Sequence, residues 1–162
     1  MILFSELDKA NKDHILPIMF DILYQNMNSI APSNLSYQKE KENYISTVSR
    51  AMNRDSRKVL LCTDNDSIVG YIQYYTSDDL LMIEEVQIIK RLQKTLLFYK
   101  MCRHLANTLP LTIRYIEAYA DKRNIYSQRL MQKMGMKQTK TVCDPAFVHL
   151  RGNCAPLRKR FS

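Results

Sequence analysis

Two carboxylates stand side by side in an apolar run, Glu84 and Glu85 within DLLMIEEVQII (79–89), and the run leads straight into a basic segment, Lys90-Arg91-Leu92-Gln93-Lys94-Thr95. A carboxylate in a strand can take a proton from a substrate or simply bind a basic neighbour. Side chains alternate along a strand, so Glu84 and Glu85 face opposite sides and only one can address a given cleft. The segment that follows sits where strand-to-helix loops commonly hold phosphate on free NH groups. Such loops usually carry glycine, and this one has none. Lys90, Arg91 and Lys94 can offer charge-assisted bonds in its place.

The other reactive residues are scattered. Cys62, Cys102, Cys143 and Cys154 are widely spaced, with no C-x-x-C pair and no histidine at metal-ligand spacing. Neither a zinc site nor a redox motif is indicated, no metal is expected, and the thiols should be reduced and mostly in the core. His14, His104 and His149 stand alone and read as surface or packed histidines. A triad of His149 with Cys143 or Cys154 has no motif behind it.

The net charge of +8 favours an anionic partner, whether nucleic acid, an acidic membrane surface or a polyphosphate cofactor. With 46% hydrophobic and 25% charged residues the chain has the composition of an ordinary globular protein. No apolar run approaches the roughly 20 residues that would span a bilayer. The opening MILFSELDKANKDH has neither a basic n-region nor a long apolar h-region, so no signal peptide and a cytoplasmic location are expected. One domain over 1–162 is expected, burying roughly 70% of its unfolded surface, with 150–162 a loose basic tail.

These residues must be positioned by elements that the periodicity predicts. Residues 2–6 read as a strand. Ile15, Ile18, Met19, Ile22 and Leu23 predict a helix from Asp13 to about Asn28, with Pro17 in its first turn. A second helix is predicted by Tyr37, Tyr44, Ile45, Val48 and Met52, the KEKE run at 39–42 being its solvated face. KVLLCT and IVGYIQYYT, joined by Asp64-Asn65-Asp66-Ser67, predict a hairpin over 58–76. Residues 79–89 form a third strand. Leu97, Met101, Leu105 and Leu109 line a helix ended by Pro110, and one starting near Gln93 is expected. LTIRYIEAYA (111–120) is a strand, 124–134 a helix closed by Gly135, and the segments near 136–142 and 145–150 a last strand pair. The order is α/β (α+β), a mixed sheet covered by helices.

Three stretches in this order resemble one family. Asn124-Ile125-Tyr126-Ser127-Gln128-Arg129-Leu130-Met131-Gln132-Lys133-Met134-Gly135-Met136 is similar to the N-x-x-A/S-x-x-L-Y-x-K-x-G-F segment of the GNAT superfamily of N-acetyltransferases. Ile68-Val69-Gly70-Tyr71-Ile72 resembles its I-V-G-F-I strand, and Ile83-Glu84-Glu85-Val86-Gln87-Ile88 its I-E-E-L-x-V strand. Leu130, Met134 and Tyr126 would be core residues in any amphipathic helix. Asn124 and Gly70, by contrast, are not required by packing alone.

The resemblance implies a GNAT-like mixed, mostly antiparallel, splayed sheet flanked by about four helices. It implies acetyl-CoA as co-substrate, bound between two parting strands, with its pantetheine on the main chain of Val86 and Ile88. The pyrophosphate would lie on the segment of Lys90, Arg91, Gln93, Lys94, Thr95 and Leu96. Asn124, with Ser127, would contact the cofactor from the next element. The family's Q/R-x-x-G-x-G/A loop falls on Gln93, Leu96 and Phe98 in one register, or on Lys90, Gln93 and Thr95 in another. Neither register supplies a glycine, so weaker, rearranged or absent CoA binding is implied.

In this family an amine attacks the thioester directly. The resemblance makes Glu84 or Glu85 the base, and Glu84 is favoured for sharing a face with Val86 and Ile88. The position that often carries a thiolate-protonating tyrosine is Met131 here, with Tyr126 one turn earlier as a substitute. Three readings follow: an acetyl-CoA-dependent N-acetyltransferase acting on an unidentified amine, a catalytically degenerate GNAT-like binding or regulatory module, or, weakest, a nucleic-acid-binding domain using Lys90, Arg91, Lys94, Lys100, Arg103 and the RKR tail. No membrane partner is expected, and oligomeric state is open, a homodimer included. An exposed aromatic run, Tyr71, Tyr74 and Tyr75, would suit an acceptor cleft or strand packing.

Overall fold

The computed structural model describes residues 1–54 and 56–160. Its strands are β1 (Ile2–Glu6), β2 (Arg57–Asp64), β3 (Ser67–Ser77), β4 (Leu80–Ile88), β5 (Tyr115–Asp121), β6 (Lys137–Gln138) and β7 (Phe147–Asn153). The helices are α1 (Lys12–Met27), α2 (Tyr37–Asn53), α3 (Leu97–Thr108), α4 (Ile125–Lys133) and α5 (Cys154–Arg160). The strands form one seven-stranded sheet in the order β1-β2-β3-β4-β5-β7-β6. By contacts the chain divides into two compact units, the first Met1–Gln73 with Glu85–Met101, the second Tyr74–Glu84 with Cys102 onward.

In the first unit β1 pairs antiparallel with β2, from Ile2↔Asp64 to Glu6↔Leu60. The turn between β2 and β3 places Asn65 and Asp66 at φ 47° and 63°, the left-handed pair that a two-residue hairpin needs and that Asn and Asp tolerate. Ser36 caps α2, its Oγ accepting from the Lys39 NH at 3.3 Å. Leu16, Met19 and Ile22 of α1, Val48 and Met52 of α2, and Val59, Leu61 and Tyr71 of the strands form one buried cluster. Truncating such a residue to alanine costs about 2–5 kcal/mol.

In the second unit β4 runs parallel to β5 through the pairs Leu80↔Tyr115 to Ile83↔Ala118. β5 then pairs antiparallel with β7 over its full length, from Tyr115↔Asn153 to Asp121↔Phe147, and β6 adds at the far edge of β7. Gly135 ends α4 at φ 93°. Its NH donates to the Gln132 carbonyl and the Met136 NH to that of Met131, which is the Schellman arrangement.

Five expectations change. Pro17 lies inside α1, not in its first turn, because a 3-10 turn at Lys9–Asn11 leads into a helix that already starts at Lys12. α3 begins at Leu97 rather than near Gln93, since Lys90–Leu92 form a 3-10 turn first. β5 begins at Tyr115, not 111: the Ile113 NH closes a turn on the Pro110 carbonyl, and the Arg114 and Tyr115 NH groups both reach the Asp79 carbonyl. The tail is no loose segment. β7 extends to Asn153, and α5, a fifth helix, buries Cys154 and Leu157. Pro156 is accommodated as its third residue, where the NH has no intrahelical partner anyway. Ser162 and Phe161 lie outside the described residues. The tyrosine run is not exposed either, as Tyr71 and Tyr74 are buried.

Gly70, taken above as unexplained by packing, is required by it. A Cβ there would come within 2.8 Å of the Gln87 carbonyl oxygen and 3.2 Å of Ile88 Cγ1.

Candidate functional site

The Ile89 NH donates to the Val69 carbonyl at 3.0 Å, so the main-chain groups of Ile89 and, by alternation, Gln87 point toward β3. Those of Val86 and Ile88 therefore lie on the opposite edge. The Ile88 carbonyl on that edge accepts from Asn26 Nδ2 at 2.9 Å and from Gln93 Nε2 at 3.0 Å. A carbonyl has two lone pairs, and both are engaged inside the protein. Asn26 also donates to Gln87 Oε1 at 2.9 Å, and Gln93 Nε2 reaches Asn26 Oδ1 at 2.8 Å. Three carboxamides thus clasp the end of β4, and Gln93 points inward.

Beyond this clasp the segment turns outward. Lys90, Arg91, Lys94, Thr95 and Leu96 are exposed, Leu96 at 68%. Thr95 Oγ1 donates to the Leu92 carbonyl at 2.7 Å and accepts from the Leu97 NH at 3.2 Å, fixing the approach to α3. Of the residues in the two glycine registers, Phe98 is buried within α3.

Glu85 sits in a network within the same unit. Its Oε1 accepts from the Tyr71 hydroxyl and, at 3.4 Å, from the Tyr44 hydroxyl. The two hydroxyls are 3.4 Å apart, and that of Tyr71 also lies 3.1 Å from the Met19 carbonyl. Burial, reinforced by the Glu85 charge, holds both tyrosines far above their ordinary range, so they act as hydrogen-bond donors. Glu84 belongs to the other unit.

In the second unit Asn124 caps α4, its Oδ1 accepting from the Ser127 NH at 3.0 Å. Tyr126 is exposed and Met131 is buried. A polar group that the sequence did not reveal lies on β5 and β7. Glu117 and His149 are 8% and 6% exposed. His149 Nε2 meets Glu117 Oε2 at 3.1 Å and Nδ1 meets Thr139 Oγ1 at 2.6 Å, while Arg151 pairs with Glu117 Oε1. With the ring neutral, Nε2 carries the proton toward the carboxylate and Nδ1 accepts from Thr139. The Tyr119 ring lies 4.8 Å from that of His149 and its hydroxyl 3.4 Å from Cys143 Sγ. The bond to Cys143, then burial, pushes Tyr119 up to about 12. Neither Cys143 nor Cys154 holds the imidazole of His149, whose two nitrogens are engaged elsewhere.

The structure thus brings together Val86, Ile88, Gln93 and the basic segment in one unit, with Glu85 beside Tyr71 and Tyr44, and places Asn124, Ser127, Tyr126 and Met131 on α4. Asn26, Glu117 and Thr139 escaped the sequence reading, and Tyr44 and His149 were read there as helix-forming and packed or surface residues, because each meets its partner only through the fold. Among the described residues no group of three or more His, Cys, Asp or Glu is placed to hold a metal, and no helix is long and apolar enough to cross a membrane.

No protein-family model matches the sequence, and no curated protein matches it. Solved structures do match. The PaiA N-acetyltransferase of Thermoplasma acidophilum, in complex with coenzyme A, superimposes with a TM-score of 0.78 at 10% identity, over 94% of this chain and 99% of that one. An acetyltransferase from Thermus thermophilus gives 0.76 at 13% identity, over 94% and 97%. A GNAT-family acetyltransferase from Staphylococcus aureus gives 0.71 at 13% identity, over 95% and 99%. Strand order, element order and these superpositions agree that the chain has the fold of the GNAT acetyltransferases.

Proposed function

We infer that the protein is an acyltransferase that moves an acetyl group from acetyl-CoA to a primary amine. The observation that carries this reading is the end of β4. The strand runs on to Ile88, beyond its last pair with β5 at Ile83, and Val86 keeps its main-chain NH and carbonyl on the edge away from β3. It then passes directly into an exposed turn bearing Lys90, Arg91 and Lys94. Such an edge suits the amides of a pantetheine arm, and such a turn suits a pyrophosphate. Because the Ile88 carbonyl is engaged by Asn26 and Gln93, Val86 is the main-chain partner, and the carboxamide clasp anchors the start of the turn. The coenzyme A bound to the Thermoplasma relative supports the same cofactor here.

Glu85 is the base. As a carboxylate it takes a proton from the ammonium, and the freed amine attacks the thioester carbonyl. As the new N–C bond forms, the C–S bond breaks with its electron pair staying on sulfur, and the nitrogen gives up its extra proton to the leaving thiolate, which departs as the thiol. Tyr71 and Tyr44 hold the carboxylate in place by donating to its Oε1. A second reading, a module that binds CoA without turnover, is favoured by Met131 and by the absence of glycine from 89–96.

The test is thiol release from acetyl-CoA with a panel of benzylamine, lysine and a lysine-containing peptide. Turnover that falls about 10²-fold or more in Glu85→Gln, the range for a lost general base, supports the acyltransferase. Acetyl-CoA binding with no thiol release from any acceptor supports the silent module.

A further inference from the structure

Thr139, His149 and Glu117 have no part in the acyltransferase reading, yet they are arranged as a nucleophile, a base and the carboxylate that orients the base. We propose that Thr139 is a covalent acylation site, its hydroxyl activated by His149 and acylated by aryl esters. Every part of this site lies in the second unit.

The geometry has the links that an activated hydroxyl needs. Thr139 Oγ1 meets His149 Nδ1 at 2.6 Å, and His149 Nε2 meets Glu117 Oε2 at 3.1 Å. The Thr141 NH donates to Thr139 Oγ1 at 3.1 Å, so that oxygen already accepts one bond and its own proton is the one to share with the imidazole. Glu117 takes the Nε2 proton, which leaves Nδ1 as the basic nitrogen, and Arg151 holds the other carboxylate oxygen. Such arrays are recognised by geometry and roles rather than by sequence position, which is why no motif announces this one. A carboxylate and an imidazole that are 8% and 6% exposed are costly to bury where apolar residues would pack as well. A base for Thr139 gives that cost a use.

The substrate class follows from what surrounds the hydroxyl. Thr139 is half-buried where His149 is buried, so the hydroxyl is the end of the array that a ligand meets. Residues 139–143 begin on His149 and end on Tyr119, whose hydroxyl lies 3.4 Å from Cys143 Sγ and whose ring lies 4.8 Å from the imidazole. Tyr119, Val142 and Phe147 are 38%, 71% and 39% exposed, and Phe147, two residues from His149 on β7, shares its face of the sheet. An exposed aromatic and apolar rim suits the aryl group of an ester. Lys137 and Lys140, both exposed, flank Thr139 with positive charge that favours the oxyanion formed in the attack.

Atoms balance without an added reagent. His149 Nδ1 takes the Thr139 proton as Oγ1 bonds to the acyl carbon. The C–O bond to the aryl group then breaks, its pair staying on the aryl oxygen, and Nδ1 passes the proton to that oxygen. The phenol leaves, the acyl group stays on Thr139 as an ester, and His149 is neutral again. Glu117 touches no reacting atom and is a positioning residue.

The test incubates the full chain with p-nitrophenyl acetate, follows nitrophenol release, and maps acetyl groups by peptide mass spectrometry. Wild type is compared with Thr139→Ser, His149→Gln and Glu117→Gln, with melting temperatures measured alongside. Acetylation at position 139 that saturates with ester is expected in wild type and in Thr139→Ser, and about 10²-fold slower in His149→Gln, the usual loss of a general base. Glu117→Gln is expected to lower the same rate constant at an unchanged half-saturating ester concentration, a split that mere destabilisation does not produce. That variant decides the matter if His149→Gln does not fold. Acetyl groups confined to Cys143 and the lysines, or a Thr139 rate equal to that of wild type in whichever of these two variants folds, overturns the proposal. The acyltransferase reading survives either result, since no coenzyme A enters the experiment.

Discussion

At the scale of residues, the chemistry of this protein depends on which groups are buried and against what. Cys62 and Cys102 are pushed up to about 11 and about 12 by burial, and Cys154 is raised by the same cause, whereas Cys143 is exposed. Thiolate is the reactive form. A thiol reagent at neutral pH is therefore expected to label one of the four cysteines quickly, Cys143, and the others only on unfolding. Mass mapping of the labelled peptides checks this. Tyr44, Tyr71 and Tyr119 all have raised folded-state values. A raised value favours the neutral native form, so their contribution to stability is fully present below the ordinary tyrosine range near 10 and is lost as pH rises through the folded value, about 12 for Tyr119. Tyrosinate absorbance should lag behind that of free tyrosine above about pH 10, with unfolding following it, and Tyr119→Phe should remove the component near 12. Glu84, Glu85 and the basic segment could be singled out in the sequence because they are contiguous, with Glu84 the favoured base there. Glu117 and His149 could not, since 32 residues separate them and neither belongs to a motif.

At the scale of elements, the fold was largely legible because periodicity and turn residues agree. α1 and α2, the β2–β3 hairpin and the helix ended by Gly135 fall where apolar spacing and Asn, Asp and Gly put them. Boundaries went astray where a local hydrogen bond outweighs propensity, as when the Asp79 carbonyl collects two NH groups and delays β5 to Tyr115. α5 was missed because the tail was read from its basic character as loose, although the first turn of a helix tolerates Pro156. Gly70 is a resemblance to the family that also has a mechanical reason, the approach of its backbone to the Gln87 carbonyl. Gly70→Ala is expected to cost about 1–3 kcal/mol by overpacking between β3 and the end of β4, read as a lower melting temperature. Acetyl-CoA affinity should fall with it, because the strand edge at Val86 shifts as well.

For the whole molecule, the sheet order and the superpositions fix the fold, while the proposed reaction is argued from the edge of β4 and the turn that follows it. The net charge of +8 is consistent with an anionic partner, and in this account that partner is the pyrophosphate. The most direct measurement is a calorimetric titration of the protein with acetyl-CoA, repeated on the double variant Lys90→Ala, Lys94→Ala. Saturable binding, weakened about tenfold or more in the variant and hence by about 1.4 kcal/mol or more, is the predicted result. No heat of binding at about 1 mM acetyl-CoA, or equal affinity in both proteins, would contradict the assignment of that turn to the cofactor.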